Sequence, residues 1–351
     1  MKKLVVIAGP TAVGKSDIAV RLAKRVGGEI ISADSMQVYR LMDIGTAKLT
    51  PVEMQGVPHH LIDILEPTEE FNIVRFQELA LSAMEKIYQD GKLPIIAGGT
   101  GFYIQSVAYG IEFASHEQIK IASSEGRLVV DDRTDGVDLG KAAAEENGLH
   151  NINSSEKMTN SYREYLSELA KREGPHVLHE MLQKIDQKSA EMIHENNIKR
   201  VIRALEFYEE TGEKLSEHNS EQRQKQSPYD LRYYVLDMPR PLLYERIDRR
   251  VDQMLEEGLL DEVRRLLEMG LTERNLSMQG LGYKQLLSCL KGEIPYEEAV
   301  RLIKRDTRHF AKRQLTWFKR EKDVRWIELE KYDYDPKRVV EYLVEDIGYG
   351  K

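Results

Sequence analysis

With 351 residues, 41% of them hydrophobic and 31% charged, the chain exceeds the usual single-domain length, and its composition is neither that of a disordered protein nor that of a membrane protein. Cys289 is the only cysteine, which excludes an internal disulfide and a cysteine-based zinc cluster and makes a reducing cytoplasm the expected location. A formal net charge of −8 argues against nucleic acid only if the basic groups are evenly spread, so their distribution has to be followed along the chain.

Leu4 to Ala8 is a continuous apolar run, too short for a signal peptide, that ends in a glycine loop and is followed by a helical pattern from Lys15 to about Arg25. Short strands are expected at Glu29–Ser32, stopping at Asp34, and at Pro94–Ala97, stopping at Gly98-Gly99-Thr100-Gly101, with a helix from Ile73 to about Gln89 between them. Buried strands alternating with helices predict an α/β core: a parallel sheet with its site beyond the carboxyl ends of the strands. Residues 112–160 are polar with poor periodicity. Helical patterns resume over 162–172, 177–184 and 198–208, and Arg232–Asp237 reads as a strand that rejoins the sheet. Helices at 241–257 and 260–269 and a last strand at Val324–Glu328 complete the pattern. The expected organisation is a discontinuous phosphate-loop core over 1–111 and 199–351, interrupted by a mainly helical insertion at 112–198.

Gly9-Pro10-Thr11-Ala12-Val13-Gly14-Lys15-Ser16 matches the full phosphate-loop pattern between an apolar strand and a helix, the context that gives the motif its meaning. Its glycines let successive N–H groups face an anion, Lys15 adds a point charge, Thr11 adds a hydroxyl donor, and Ser16 can hold Mg²⁺. Alone, the loop reads as nucleotide-binding, with ATP as the usual ligand. A nucleotide hydrolase would also carry an acidic residue at the end of a neighbouring apolar strand, whereas the strand at 94–97 runs into Gly-Gly-Thr-Gly. Asp34 is the strand-end carboxylate near the loop, suited to a general base, a magnesium ligand or a turn residue.

His59-His60 lacks a third ligand at metal spacing and reads as structural. Ser277 to Lys284 is a glycine-punctuated turn entering a helix, with amide, phenol and ammonium groups available to partners. The segment Arg301–Arg320 carries eight Lys or Arg against the single acid Asp306, and on a helix Arg301, Lys304, Arg305, Arg308, Lys312 and Lys319 form one cationic stripe interleaved with Phe310, Trp317 and Phe318. Either a solvated helix face or a polyanion contact accounts for it. Lys199-Arg200-Val201-Ile202-Arg203 is a second basic cluster, and together these segments offer places for RNA phosphates on an otherwise acidic chain.

Taken in order, GPTAVGKS at 9–16, ISADSMQVYRLMDIGTAK at 31–48, HHLIDI at 59–64, IIAGGTGFYI at 95–104, HENNIKRVIRALE at 194–206, QGLGYK at 279–284 and TRHFAKRQLTWFK at 307–319 resemble the signatures of the tRNA dimethylallyltransferases. The resemblance implies transfer of a dimethylallyl group from dimethylallyl diphosphate to N6 of the adenosine 3′-adjacent to the anticodon, with release of diphosphate. It makes Asp34, Thr11, Lys15 and Arg250 the catalytic set, with Asp34 accepting the N6 proton. Gly9 to Ser16 and Arg250 would hold the diphosphate together with Mg²⁺ on Ser16, and Asp34-Ser35-Met36-Gln37 would hold the extruded adenine. Thr100 would line the channel where base and donor meet. The tRNA anticodon stem-loop would be contacted by Arg163, Lys199, Arg200, Val201, Ile202 and Arg203, by Gln279, Gly280, Leu281, Gly282, Tyr283 and Lys284, and by Lys312, Arg313, Gln314, Leu315, Thr316, Trp317, Phe318 and Lys319. Leu41 departs from the pattern, standing where the YRGMDIGTAK block commonly has glycine. The expected state is a monomer without a membrane segment. The alternative is a small-molecule kinase using ATP on the same loop, which leaves the basic stripe at 301–320 without a purpose.

Overall fold

The structure, a computed structural model of the chain, describes residues 1–111 and 154–349. The polar segment expected to depart from regular periodicity lies, as far as residue 153, outside the described residues.

Six parallel strands make up one sheet: β1 (Lys3–Ala8), β2 (Gly28–Ala33), β3 (His59–His60), β4 (Leu93–Gly98), β5 (Asp230–Asp237) and β6 (Val324–Glu328), in the order β3-β2-β4-β1-β5-β6. The central strands read as unbroken apolar runs because both faces are covered. In β1, Leu4, Val6 and Ala8 join one core cluster while Val5 and Ile7 join the other, the two-residue alternation of an extended chain. One face is covered by α1 (Lys15–Val26) and the C-terminal α14 (Pro336–Ile347). The other is covered by α3 (Ile73–Gln89), α4 (Gly101–Ala108), α11 (Leu259–Glu268), α12 (Tyr283–Leu290) and part of α13 (Tyr296–Phe318). The four-residue α2 (Pro51–Met54) precedes β3, and α10 (Arg240–Glu256) follows β5.

The register brings the site together. Ala8 of β1 and Ala33 of β2 both pair with Gly98 of β4, so three strands end level and release the phosphate loop, Asp34 and Gly99-Thr100 side by side. The approach is close enough that a Cβ at Gly98 would lie 2.3 Å from the Ala33 carbonyl oxygen.

Residues 154–225 belong to a second compact unit, built from α5 (Ser154–Glu173), α6 (Pro175–Ile185), α7 (Gln187–Met192), α8 (Ile198–Thr211) and α9 (Leu215–Gln224). Its own core joins Leu166, Leu178, Leu182, Val201 and Leu205. That core carries the unit to Lys225, past the boundary expected at residue 198: α8 buries its apolar stripe against α5 and α6. Inside this unit the buried Asp186 accepts from the backbone N–H and hydroxyl of both Ser189 and Ser216, which ties the start of α7 to the start of α9. Among the described residues no helix is long and apolar enough to cross a membrane.

Candidate active site

The phosphate loop takes its shape from three left-handed residues, Gly9, Ala12 and Gly14, with φ of 146°, 63° and 101°. Gly9 is also pressed on the neighbouring strand, where an added Cβ would lie 2.7 Å from the Leu236 carbonyl oxygen. The curled backbone delivers Lys15 as the first residue of α1, so its ammonium and the helix N-terminus serve the same space. In this state Lys15 donates to the Pro10 carbonyl at 2.7 Å.

The loop forms one side of a cavity of about 630 Å³, lined by Thr11, Ala12, Lys15 and Ser16, by Asp34 to Gln37, by Thr100 and by Gln279 to Lys284. Arg250 enters from α10 on one face with Ile247, Val251 and Met254, the three- and four-residue spacing of a helix stripe. Its charge is felt: desolvation first, then repulsion by Arg250, with Asp34 offsetting part of the effect, lowers the Lys15 ammonium from 10.5 to about 7. Arg250 is itself held below its ordinary value by burial, against the pull of Asp34. Two cations and one carboxylate thus share a partly dehydrated space, an arrangement ready for an anion of more than one charge.

Asp34 does two things. Oδ1 accepts the Met36 N–H at 2.9 Å, the turn role open to it from the sequence. Oδ2 has no hydrogen-bond partner among the described residues and is available to a proton brought into the cavity. Thr100 caps α4 without using its hydroxyl, which likewise remains available. Phe71 and Tyr103 line an apolar stretch of wall with their ring centroids 5.7 Å apart and edge to face. Neither ring stood out in the sequence, because aromatic residues on helix flanks read as core.

Gln37 and Gln314 are both tied down by hydrogen bonds within the protein. Gln37 lines the cavity, its amide nitrogen donates to the Thr46 and Ala47 carbonyls and its oxygen accepts from Ser32, so it also braces the wall. Gln314 is buried, accepts the Thr11 N–H at 2.9 Å and donates to the Gly99 carbonyl at 2.9 Å. It bolts the phosphate loop to the loop after β4 while also lining the cavity.

The basic stripe on α13 is largely neutralised, contrary to the reading that it lacks acids. Arg308 pairs with Asp248 and Lys304 with Asp252, a two-rung ladder between α13 and α10, while Arg301 pairs with Glu298 and Arg305 with Asp306. Lys312, Arg313, Lys319 and Arg320 at the C-terminal end are exposed and have no acid partner among the described residues; the Arg313 guanidinium lies 5.7 Å from the Phe310 ring centroid. Leu315 and Phe318 are core, and Trp317 packs on Gly101 so tightly that a Cβ there would sit 2.1 Å from the indole.

In the helical unit Lys199, Arg200 and Arg203 lie outside the core, whereas Val201 and Ile202 are buried in it, so only the three basic residues can meet a polyanion. Arg163 spends its guanidinium on the fully buried Glu206, with bonds of 2.6 and 2.7 Å, and serves there as an internal strap. A second strand-end carboxylate exists besides Asp34: Asp237 is the last residue of β5, but it is engaged by Arg240 at 2.7 Å and by the Met238 N–H and does not line the cavity. His60 pairs with Glu29 and His59 bonds the Val57 carbonyl oxygen, in keeping with a structural pair.

A family model described as IPP transferase matches residues 37–321. The tRNA dimethylallyltransferase of Lachnoclostridium phytofermentans is 49% identical, covering 98% of this chain and 97% of its own. Among solved structures, the full-length tRNA isopentenylpyrophosphate transferase of Bacillus halodurans is 40% identical with a TM-score of 0.66, covering 99% of this chain and 97% of that one. A eukaryotic dimethylallyltransferase acting on tRNA is 29% identical with a TM-score of 0.74, covering 98% and 78%.

Proposed function

The chain belongs to the tRNA dimethylallyltransferase family and is an enzyme of that kind, and from this premise we propose how its residues carry the reaction. The donor is dimethylallyl diphosphate, and the acceptor is N6 of the adenosine 3′-adjacent to the anticodon of a tRNA. The new bond joins N6 to the donor's C1. The bond from C1 to the diphosphate oxygen breaks with its electron pair leaving on diphosphate, and the N6 proton passes to Asp34.

An exocyclic amine is a weak nucleophile, so both ends of the transfer need help. Asp34, with Oδ2 open to the cavity, takes the proton, and such general-base assistance typically contributes ~10²–10⁴ in rate. Lys15, Arg250 and the loop N–H groups receive the charge that develops on the leaving diphosphate, donors fixed in place before the charge appears. Thr11 and Thr100 offer hydroxyls at the two sides of the meeting point. The aromatic wall of Phe71 and Tyr103 suits an apolar prenyl chain or an unstacked base. Extracting the adenine costs a few kcal/mol, less from a loop than from a duplex.

Mg²⁺ fits the site by chemistry: Ser16 offers one hydroxyl oxygen in the cavity wall, and no cluster of three acidic, histidine or cysteine ligands occurs among the described residues. Such a site suits a cation that keeps most of its waters and takes its remaining oxygens from the diphosphate. When bound it would neutralise charge on the leaving group.

The observation that carries this reading is the joining, in one cavity, of a cationic anion grip with a carboxylate whose second oxygen is unengaged. The kinase alternative finds no support in the relatives. The test is positional: with labelled donor, label enters an anticodon stem-loop that has adenosine 3′ to the anticodon and fails to enter the same RNA with guanosine there. Equal labelling of both would contradict it.

A further inference from the structure

Helix α11 hides an acid among apolar residues. Its buried face runs Leu259, Glu262, Val263 and Leu266, the spacing of one helix stripe, so Glu262 sits where an apolar side chain belongs and is 2% exposed. A buried carboxylate is tolerated only with full hydrogen bonding. Glu262 has it: Oε2 accepts the N–H groups of Asp43 and Ile44 at 2.9 and 2.8 Å, and Oε1 accepts the N–H of Gly45 at 3.1 Å and the Tyr283 hydroxyl at 2.6 Å. Three consecutive backbone donors around one anion form a nest.

The four donors come from two segments that line the same cavity, the loop after Met42 and the Gln279–Lys284 turn. They also touch directly, since a Cβ at Gly45 would fall 2.5 Å from the Tyr283 ring. The loop passes its position onward: the Thr46 and Ala47 carbonyls hold the Gln37 amide, three residues from Asp34. Lys48 secures the far end of the loop on the Tyr39 carbonyl, Asp43 and Asp63. Proximity to Asp34 on one side and to the Gln279–Lys284 turn on the other makes this junction part of the acceptor wall.

We infer that Glu262 is a positioning residue for the acceptor side of the cavity, fixing the Asp43–Gly45 loop against Tyr283 and so setting where the nucleobase meets Asp34. The inference rests on the reading of the site given above. Glu262→Gln replaces one accepting oxygen with a donor that faces an N–H, so at least one of the three amides loses its partner. In the full-length enzyme this change lowers kcat/KM for unmodified tRNA by about 100-fold, the size expected of a small misplacement of a reacting group. It leaves the dissociation constant of inorganic pyrophosphate near wild type. Tyr283→Phe, which keeps the ring against Gly45 and removes one bond of four, gives a smaller loss of the same kind.

Amide hydrogen exchange tests the junction without reference to catalysis: Asp43, Ile44 and Gly45 are protected in the wild type and exchange faster in Glu262→Gln. Unchanged exchange and unchanged tRNA kinetics would overturn the inference, as would loss of pyrophosphate affinity in parallel with tRNA activity. A wild-type enzyme that transfers nothing would sink the reading of the site instead, with the exchange result still deciding what Glu262 holds. If Glu262→Gln does not accumulate as folded protein, Tyr283→Phe decides, and wild-type exchange and kinetics in that variant would overturn the inference.

Discussion

A lysine sunk into a cavity wall beside an arginine gives up its proton more readily than one in water, and Lys15 does so at about 7. An incoming diphosphate favours the charged form, so donor binding takes up a proton wherever the free site has lost it. The charged form is present below this value and lost above it. On the donor side, kcat/KM is therefore level at acid pH and falls by about tenfold per unit above neutrality, until the bound-state value is reached. Lys15→Arg keeps its charge throughout and lacks this limb. A profile flat from pH 6 to 9 in the wild type would contradict the assignment. Leu41 shows how a single residue can depart from its family: its φ of 63° lies in the left-handed region, where glycine is at ease and leucine is strained by roughly 1–2 kcal/mol. It is exposed, so nothing in the packing demands the leucine.

At the level of elements, α13 carries two faces with different tasks. Its Ile303, Thr307, Phe310 and Gln314 positions follow helix spacing along the cavity, while Lys304 and Arg308 turn to the acids of α10. The stripe looked unopposed in the sequence because Asp252 and Asp248 are 52 and 60 positions away, a separation no local pattern can bridge. Gln314 was hidden for a similar reason: a glutamine amid lysines and arginines reads as one more polar contact, yet its amide joins two loops that only the sheet register brings together. The bolt gives a prediction. Gln314→Glu keeps the acceptor for Thr11 but faces the Gly99 carbonyl with a second acceptor, and it adds an anion beside a diphosphate site. Donor KM rises by at least about tenfold, consistent with an unpaired buried group of 1–3 kcal/mol, with little change in tRNA KM. A variant with unaltered donor KM would show that the bolt is not needed.

For the whole molecule, what was local in the sequence was legible. Strand, phosphate loop and helix over residues 3–26 are contiguous and apolar in the right period, and the strands at 93–98 and 230–237 announce themselves by composition. The two-residue β3 is too short to show any period, and the end of the helical unit at Lys225 depends on which core α8 joins. In the cavity, Thr11, Ala12, Lys15, Ser16, Asp34, Thr100, Arg250 and the Gln279–Lys284 turn converge, from strand ends and helices spread over most of the chain. Glu262 stayed unread although a charge on the apolar stripe of α11 was its signal. In the proposed mechanism one cavity holds a leaving diphosphate at one end and deprotonates an RNA amine at the other. The most direct measurement follows labelled dimethylallyl diphosphate into unmodified tRNA in the wild type, Asp34→Ala and Lys15→Ala, with donor affinity measured alongside. The expected results are transfer by the wild type, loss of transfer with donor binding kept in Asp34→Ala, and loss of donor binding in Lys15→Ala. Transfer undiminished in Asp34→Ala, or ATP consumed while no label reaches the RNA, would contradict it.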